Sequence, residues 1–286
     1  MSASVWRAAT IVGATPQTST ARSLRLSVPG LGRAIAGQHV DVRLTADDGY
    51  QAVRSYSLSD VRGATSGAAV AVTAQTEVDA QTGVDVATEV EITVEELPDG
   101  EVSPYLVEAA EVGDALEVRG PIGGWFVWPP RPVEPGSAVH AVLPDPAGAP
   151  AAVDADVQLI AGGSGVAPLM AMIRSRVATR ASSASRFRLL YSLRTPESRW
   201  FADELDAAAR SGAVEITEVY TRRAPVGHDR TAGRLDAQLL AELALPAEGH
   251  PVVYVCGPTA FVEAVGVWLV EAGHDPTRVR LERFGG

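Results

Sequence analysis

Four short stretches of this sequence concentrate residues able to do chemistry. In "RSYSLSD", 54–60, a cation, a ring and two hydroxyls lie within a few positions. Side chains alternate along an extended chain, so Arg54 and Tyr56 share one face, about 6–7 Å apart. Ser55 takes the other face, and Ser57 joins it unless the strand bends. The same spacing also describes an edge strand with a solvated arginine and a half-buried tyrosine. In "LIAGGSGVAPLM", 159–170, an apolar run ends in Gly162, Gly163, Ser164 and Gly165, and a helix is expected from Pro168. Glycines allow tight dihedrals and close approach of a ligand to the backbone. The N–H groups of the following helix add positive dipole charge, which makes a phosphate cradle. The alternative is a tight strand–helix turn with no ligand. In "PDGEVSPYL", 98–106, Gly100 turns the chain, and the N–H groups near Val102 and Ser103 lead into a helix start. This is a second possible anion site, or an ordinary capped helix. "VYVCGPTAFVEAV", 253–265, places Cys256, Gly257 and Pro258 at a strand end. Cys256 there is either within reach of a ligand's reactive end or a small buried thiol.

The elements that must position these residues fall into two groups. Residues 1–128 read mainly as short alternating strands: "SLRLSV", "QHVDVRL", "RSYSLS", "VEITVEEL" and "DALEVRG". Their spacing, broken by Gly, Pro and Asp, predicts an antiparallel barrel or sandwich. One helix is expected inside it, with Ser103 as N-cap and Pro104 as first helical residue. From 156 to 286 the rhythm changes. Strands "VQLIA", "FRLLYS", "VEITEVY", "VVYVC" and "RVRLERF" alternate with helices "APLMAMIRSRVA", "FADELDAAAR", "LDAQLLAEL" and "AFVEAVGVWLVEAG". That alternation predicts a doubly wound α/β domain on a parallel five-stranded sheet. The stretch 129–155, rich in Pro, Ala and Gly, reads as a linker or surface excursion. A second irregular stretch, 61–89, reads as a hairpin or loop. Loop closure costs only about 0.6 kcal/mol per doubling of length, so the fold tolerates it.

Composition narrows the function classes. The chain has 286 residues and a formal charge of −11, which disfavours nucleic acid and anionic membranes as partners. All 24 basic residues are arginine, so any phosphate must be held by Arg or by backbone N–H groups. The apolar runs are of strand length, far below the roughly 20 residues of a membrane span. The start "MSASVWRAATIVGATPQ" lacks the pattern of a signal peptide, and a cytoplasmic setting is expected. The single cysteine can neither close an intramolecular disulfide nor supply a four-thiolate iron–sulfur cluster, and no metal site is expected.

Taken in order, "RSYS", "GEVS", "GPIGGWF", "GGSGVAP", "VYVCGP" and the terminal "ERF" resemble the ferredoxin–NADP reductase-like flavoprotein family. The closest resemblance is to its bacterial oxygenase-reductase and flavodoxin/ferredoxin-reductase branch. The resemblance implies an N-terminal β-barrel that binds FAD and a C-terminal domain that binds NADPH or NADH. It also implies roles for residues. Arg54 would pair with the flavin pyrophosphate, Tyr56 would pack on the flavin, and Ser57 would lie near its N5. Ser55 belongs to the same motif. Gly100, Val102 and Ser103 match a second phosphate contact, and Gly163, Ser164 and Gly165 match the nicotinamide nucleotide's pyrophosphate turn. Cys256, Gly257 and Pro258 match residues beside the nicotinamide. Glu282 and Phe284 match a carboxylate and an aromatic ring against the flavin's other face.

"YSLRTPESR", 191–199, falls where the adenosine ribose should lie. A carboxylate there selects NADH and cations select NADPH. With Arg194 and Arg199 against a single acid, Glu197, the balance favours NADPH. The [2Fe–2S] domain carried by many oxygenase reductases is not expected within this chain. Electrons would then pass to a separate ferredoxin, flavodoxin or oxygenase component. A reductase of free flavin, ferric chelates or oxygen is the alternative enzyme. A flavin-binding regulatory subunit without turnover is the alternative of another class.

Overall fold

Strands form in the first half where apolar side chains recur at every second position. In the strand Ala21–Pro29, Leu24, Leu26 and Val28 are fully buried while Arg25 and Pro29 are exposed. The computed structural model describes residues 5–46, 48–61, 87–129, 155–179 and 185–284. The irregular stretches read at 61–89 and 129–155 lie mostly outside these residues. The chain divides into two units, Met1–Ile122 and Gly123–Gly286.

The first unit is a closed antiparallel barrel. Its strands are β1 (Arg7–Thr18), β2 (Ala21–Pro29), β3 (His39–Thr45), β4 (Gln51–Asp60), β5 (Ala87–Glu95) and β6 (Ala115–Ile122). They run in the order β1-β2-β5-β4-β3-β6, and β6 closes the ring by pairing with both β3 and β1. Ile11, Leu24, Leu26, Val40, Val42, Leu58, Ile92 and Val118 fill the interior. Each such side chain contributes about 1.5–3 kcal/mol by leaving water. β1 was not among the strands expected from alternation. Gly13 and Pro16 interrupt its pattern, and its pairing with β2 slips at both places. The helix expected from Ser103 is also different. It is a single π turn, Tyr105–Ala109, with no side-chain cap.

The second unit contains a parallel sheet of β7 (Val157–Gly162), β8 (Phe187–Leu193), β9 (Glu215–Tyr220), β10 (Val252–Pro258) and β11 (Val279–Phe284). The helices are α1 (Val166–Thr179), α2 (Ala202–Arg210), α3 (Ala237–Leu243) and α4 (Thr259–Glu271). β7 is buried at every position, and β10 at every position before Pro258, as expected for strands covered on both faces. The order β11-β10-β7-β8-β9 runs outward from β7 to β9, then resumes on the other side of β7 with β10. The switch point therefore lies between β7 and β10, where open α/β sheets bind ligands.

Segment 123–128 belongs to this second unit for a visible reason. The Tyr254 hydroxyl donates to the Val127 carbonyl at 2.7 Å, and Arg280 Nη1 donates to the Trp125 carbonyl at 2.7 Å. Phe126 meets Tyr254, and Trp128 meets Phe187, edge to face. Nothing in the local pattern of "GGWFVW" announces these long-range anchors.

Candidate functional site

In the barrel, the register of β3 against β4 decides which side chains share a face. Val40 pairs with Tyr56 and Val42 with Arg54, while Asp41 pairs with Ser55 and His39 with Ser57. Arg54 and Tyr56 thus share the face that carries the core valines. Tyr56 is half-buried against that core, and burial pushes its phenol up to about 12. Arg54 stands where the wall opens, its side chain 51% exposed. Its Nη1 donates to the Val53 carbonyl at 2.8 Å and its Nη2 to Glu101 Oε2 at 2.7 Å.

That second bond joins two of the sequence motifs, because Glu101 lies inside "GEVS". The loop before it is tightly built. A Cβ on Gly100 would stand 2.8 Å from Ser103 Oγ and 3.0 Å from the Leu97 carbonyl oxygen. The buried Ser103 hydroxyl accepts from the Leu97 N–H at 3.1 Å, so it braces this loop and does not cap the helix. The Val102 side chain is buried in the barrel core, which leaves its backbone as the available part. Among the described residues, the N–H groups of Glu101 and Val102 donate to no backbone carbonyl. Tyr50, just before β4, donates its hydroxyl to Glu101 Oε1 at 2.6 Å. The Tyr50 hydroxyl first, and Arg54 second, hold the Glu101 carboxyl below the usual carboxylate range. The structure therefore brings together Arg54, Tyr56 and the Gly100–Ser103 loop.

The serines of the first motif lie on the opposite face. Ser55 Oγ donates to Asp41 Oδ1 at 2.6 Å, and Asp41 also accepts from Arg119 Nη2 at 2.6 Å. The register places Ser57 on that same face, opposite His39.

In the second unit the glycines lie at the switch point. Gly163–Gly165 form a 3₁₀ turn between β7 and α1. Helix α1 begins at Val166, two residues before the expected Pro168. Proline is tolerated there because first-turn N–H groups have no intrahelical partner. Gly163 has φ +55°, and no atom stands within 4 Å of where its Cβ would be. That open space lies at an exposed left-handed turn, with Ser164 half-exposed beside it, and leaves room for a ligand. Gly165 is the reverse case. Its Cβ would fall 2.1 Å from the Cys256 carbonyl oxygen. Gly162 and Gly257 are likewise closed by the Phe261 ring, at 2.7 and 2.9 Å from the Cβ each would carry.

Cys256 pairs with Ala161 of β7 and Glu282 of β11, and Pro258 pairs with Phe284. The expected residues Cys256, Gly257, Pro258, Glu282 and Phe284 therefore share one sheet edge with the glycine turn. Phe284 is 37% exposed and is not a core residue. Cys256 is fully buried, and burial first, then the Glu282 charge, pushes its thiol well up. Native protein should accordingly resist iodoacetamide at mildly alkaline pH and be alkylated once unfolded. Mass spectrometry reads the label, and rapid labelling of the folded chain would contradict this burial.

Arg194 and Arg199, read as a pair, part company. Arg199 is consumed by Glu218 Oε1 at 2.5 Å, Asp206 Oδ1 at 2.7 Å and the Ala202 carbonyl at 3.1 Å. Arg194 is exposed and makes no ion pair among the described residues. Its carbonyl accepts from the N–H groups of Arg222 and Arg223 at 3.0 and 3.2 Å, which gathers three arginines at the ends of β8 and β9. Arg223 Nη2 pairs with Glu197 at 2.5 Å, and with Thr195 it holds that carboxyl down at about 2. Arg222 and Arg223 were missed because they follow β9, and only the β8–β9 pairing brings them to Arg194.

The fold and these two cradles define a class: a protein with a flavin-type barrel and a nucleotide-type α/β unit. Residues 15–127 match the oxidoreductase FAD-binding domain, and residues 159–266 match the oxidoreductase NAD-binding domain. The chain belongs to the ferredoxin–NADP reductase-like flavoprotein family. It is 25% identical over 257 residues to a flavohemoprotein of Bacillus subtilis, covering 87% of this chain and 51% of that one. It is 31% identical over 195 residues to the glycine betaine monooxygenase reductase subunit of Chromohalobacter salexigens, covering 68% and 46%. The chain thus spans about half the length of these curated relatives. Among solved structures it resembles the FAD/NAD-binding domain of a nitric oxide dioxygenase from Vibrio cholerae. The TM-score is 0.71 at 22% identity, over 98% of this chain and 99% of that one. Among the described residues no helix is long and apolar enough to cross a membrane.

Proposed function

We propose that this chain is an FAD-dependent NAD(P)H oxidoreductase that delivers electrons to a separate redox protein, such as a ferredoxin, a flavodoxin or an oxygenase component. The observation that carries this reading is the pair of anion cradles. One is Arg54 with the N–H groups of Glu101 and Val102, which donate to no backbone carbonyl among the described residues; the other is the Gly163–Gly165 turn at the switch point. The donor set fits FAD. Two of the guanidinium's five N–H donors serve Val53 and Glu101, and the rest can meet a pyrophosphate. FAD, when bound, supplies the chemistry: it takes hydride from the nicotinamide and passes electrons on singly. The protein's part is positioning and electrostatics. Arg54 holds the flavin's phosphates, and Tyr56 offers an apolar wall. Gly163, Ser164 and Gly165 hold the nicotinamide nucleotide's pyrophosphate. Cys256, Gly257 and Pro258 border the nicotinamide end, with Glu282 and Phe284 on the neighbouring strand. Ser57 remains part of this reading through its place beside Tyr56, on the other face of the strand.

The nucleotide is NADPH in this reading. Arg194 and Arg222, at the ends of β8 and β9, make no ion pair among the described residues, and the charge of Glu197, the single acid of this loop, is offset by Arg223. Arg199, tied to Glu218 and Asp206, has a structural part and leaves this task to Arg194. The FAD-supplied protein should oxidise NADPH in the presence of a dye acceptor. Arg194→Ala should raise the KM for NADPH about tenfold, or about 1.4 kcal/mol, and leave that for NADH within twofold. Absence of turnover with either nucleotide would overturn the enzyme reading. Equal KM changes for both nucleotides would overturn the role of Arg194.

A further inference from the structure

Two residues beside the barrel cradle are unexplained by phosphate binding alone. Tyr50 is 56% exposed, yet it is held in place. Its carbonyl accepts from the Ala46 N–H at 2.8 Å and its N–H donates to Asp48 Oδ1 at 2.9 Å, which fixes it at the end of the β3–β4 hairpin. Its hydroxyl meets Glu101 at 2.6 Å, and Glu101 meets Arg54 at 2.7 Å. A ring, a carboxylate and a guanidinium thus stand in sequence along the mouth of the loop. A carboxylate sharing a guanidinium with a phosphate repels that phosphate. It becomes favourable only if the ligand also brings hydrogen-bond donors. A ribose diol next to the phosphate brings two, and the base beyond it needs a flat apolar surface.

We propose that Tyr50 and Glu101 form a subsite for the adenosine half of FAD and set a preference for FAD over FMN. Glu101 accepts from the ribose hydroxyls and the Tyr50 ring stacks on adenine. The inference rests on the proposed assignment of Arg54 to the flavin phosphates. FMN makes a clean probe, because it shares the flavin, the ribityl chain and one phosphate but lacks the adenosine.

The test is calorimetric titration of this chain, freed of flavin, with FAD and with FMN. Wild type should bind FAD at least about a hundredfold more tightly than FMN. Tyr50→Ala should weaken FAD about tenfold, as loss of a stacked base does, and leave FMN within twofold. Glu101→Ala should weaken FAD about tenfold and leave FMN unchanged or more tightly bound, because FMN brings a phosphate without the adenosine ribose. Tyr50→Phe, which keeps the ring, should stay within threefold of wild type for FAD. Circular dichroism checks that each variant is folded. Equal weakening of FAD and FMN would overturn the proposal, since the two residues would then only brace Arg54. So would unchanged FAD binding in both alanine variants, or a wild type that does not discriminate. Arg54→Ala in parallel separates the two levels of failure. It should weaken both flavins, and if it weakens neither, the placement of the phosphates is wrong and the subsite falls with it.

Discussion

Arg54→Ala is expected to weaken FAD binding about thirtyfold, so that protein purified without added cofactor loses most of its yellow colour. A charge-assisted hydrogen bond to a phosphate contributes about 1.5–3 kcal/mol. A fully buried ion pair would cost more on truncation, but the Arg54 side chain is 51% exposed, and water screens part of the loss. A second effect works the other way. Glu101, now paired with Arg54 Nη2, would be left facing the pyrophosphate with its charge uncompensated. The two together favour about 2 kcal/mol, which is about thirtyfold. Arg54→Lys keeps the charge but loses the fork, so it should recover only part of the affinity. Flavin released on denaturation, quantified against protein, is the measurement. Full retention of FAD in Arg54→Ala would remove Arg54 from the site and with it the barrel cradle.

How far these sites could be read from the sequence depended on the range of the contacts that build them. The parallel sheet was legible because its central strands, β7 and β10, are continuous apolar runs buried on both faces, and segments of helix length alternate with strands along this half of the chain. The meeting of Cys256 with the glycine turn was also legible, since strand order in a doubly wound sheet places those ends together. β1 was not, because Gly13 and Pro16 break its alternation and only the closing of the barrel makes it a strand. The loop role of Ser103 was hidden because serine before proline is the ordinary mark of a helix start. Only the Leu97 N–H, six residues earlier, shows otherwise. The difference between Arg194 and Arg199 was equally out of reach. Both are arginines in one short loop, and the carboxylates that claim Arg199 come from β9 and α2. The anchoring of 123–128 by Tyr254 and Arg280 depends on residues more than a hundred positions away.

Gly165→Ala should damage the second unit more than any other single methyl added at the nucleotide cradle. An alanine Cβ at this position would lie 2.1 Å from the Cys256 carbonyl oxygen, 2.4 Å from its carbon and 2.8 Å from the Gly257 nitrogen. All three are backbone atoms of β10, held in the sheet by pairing with β7 and β11, so none can swing aside as a flexible side chain would. Relief requires α1 and its turn to move off the strand, which opens the packing around Val166 and Leu169, both fully buried. Overpacking of a rigid core costs about 1–3 kcal/mol, and a backbone clash of this depth belongs at or above the upper end. For a unit of this size about 3 kcal/mol corresponds to a fall of roughly 6–12 °C in melting temperature. Gly163→Ala is the instructive contrast. There the added methyl meets nothing, and the φ of +55° imposes a strain of only about 1–2 kcal/mol. The methyl nevertheless projects into the space proposed for the pyrophosphate. Gly163→Ala should therefore melt within a few degrees of wild type yet bind NADPH at least about tenfold more weakly, whereas Gly165→Ala should lose both stability and binding. Thermal unfolding and nucleotide titration of the two variants measure this directly. A Gly165→Ala protein that melts with wild type and binds NADPH normally would show that the turn and β10 do not make this close approach, and the glycine cradle would lose its structural basis.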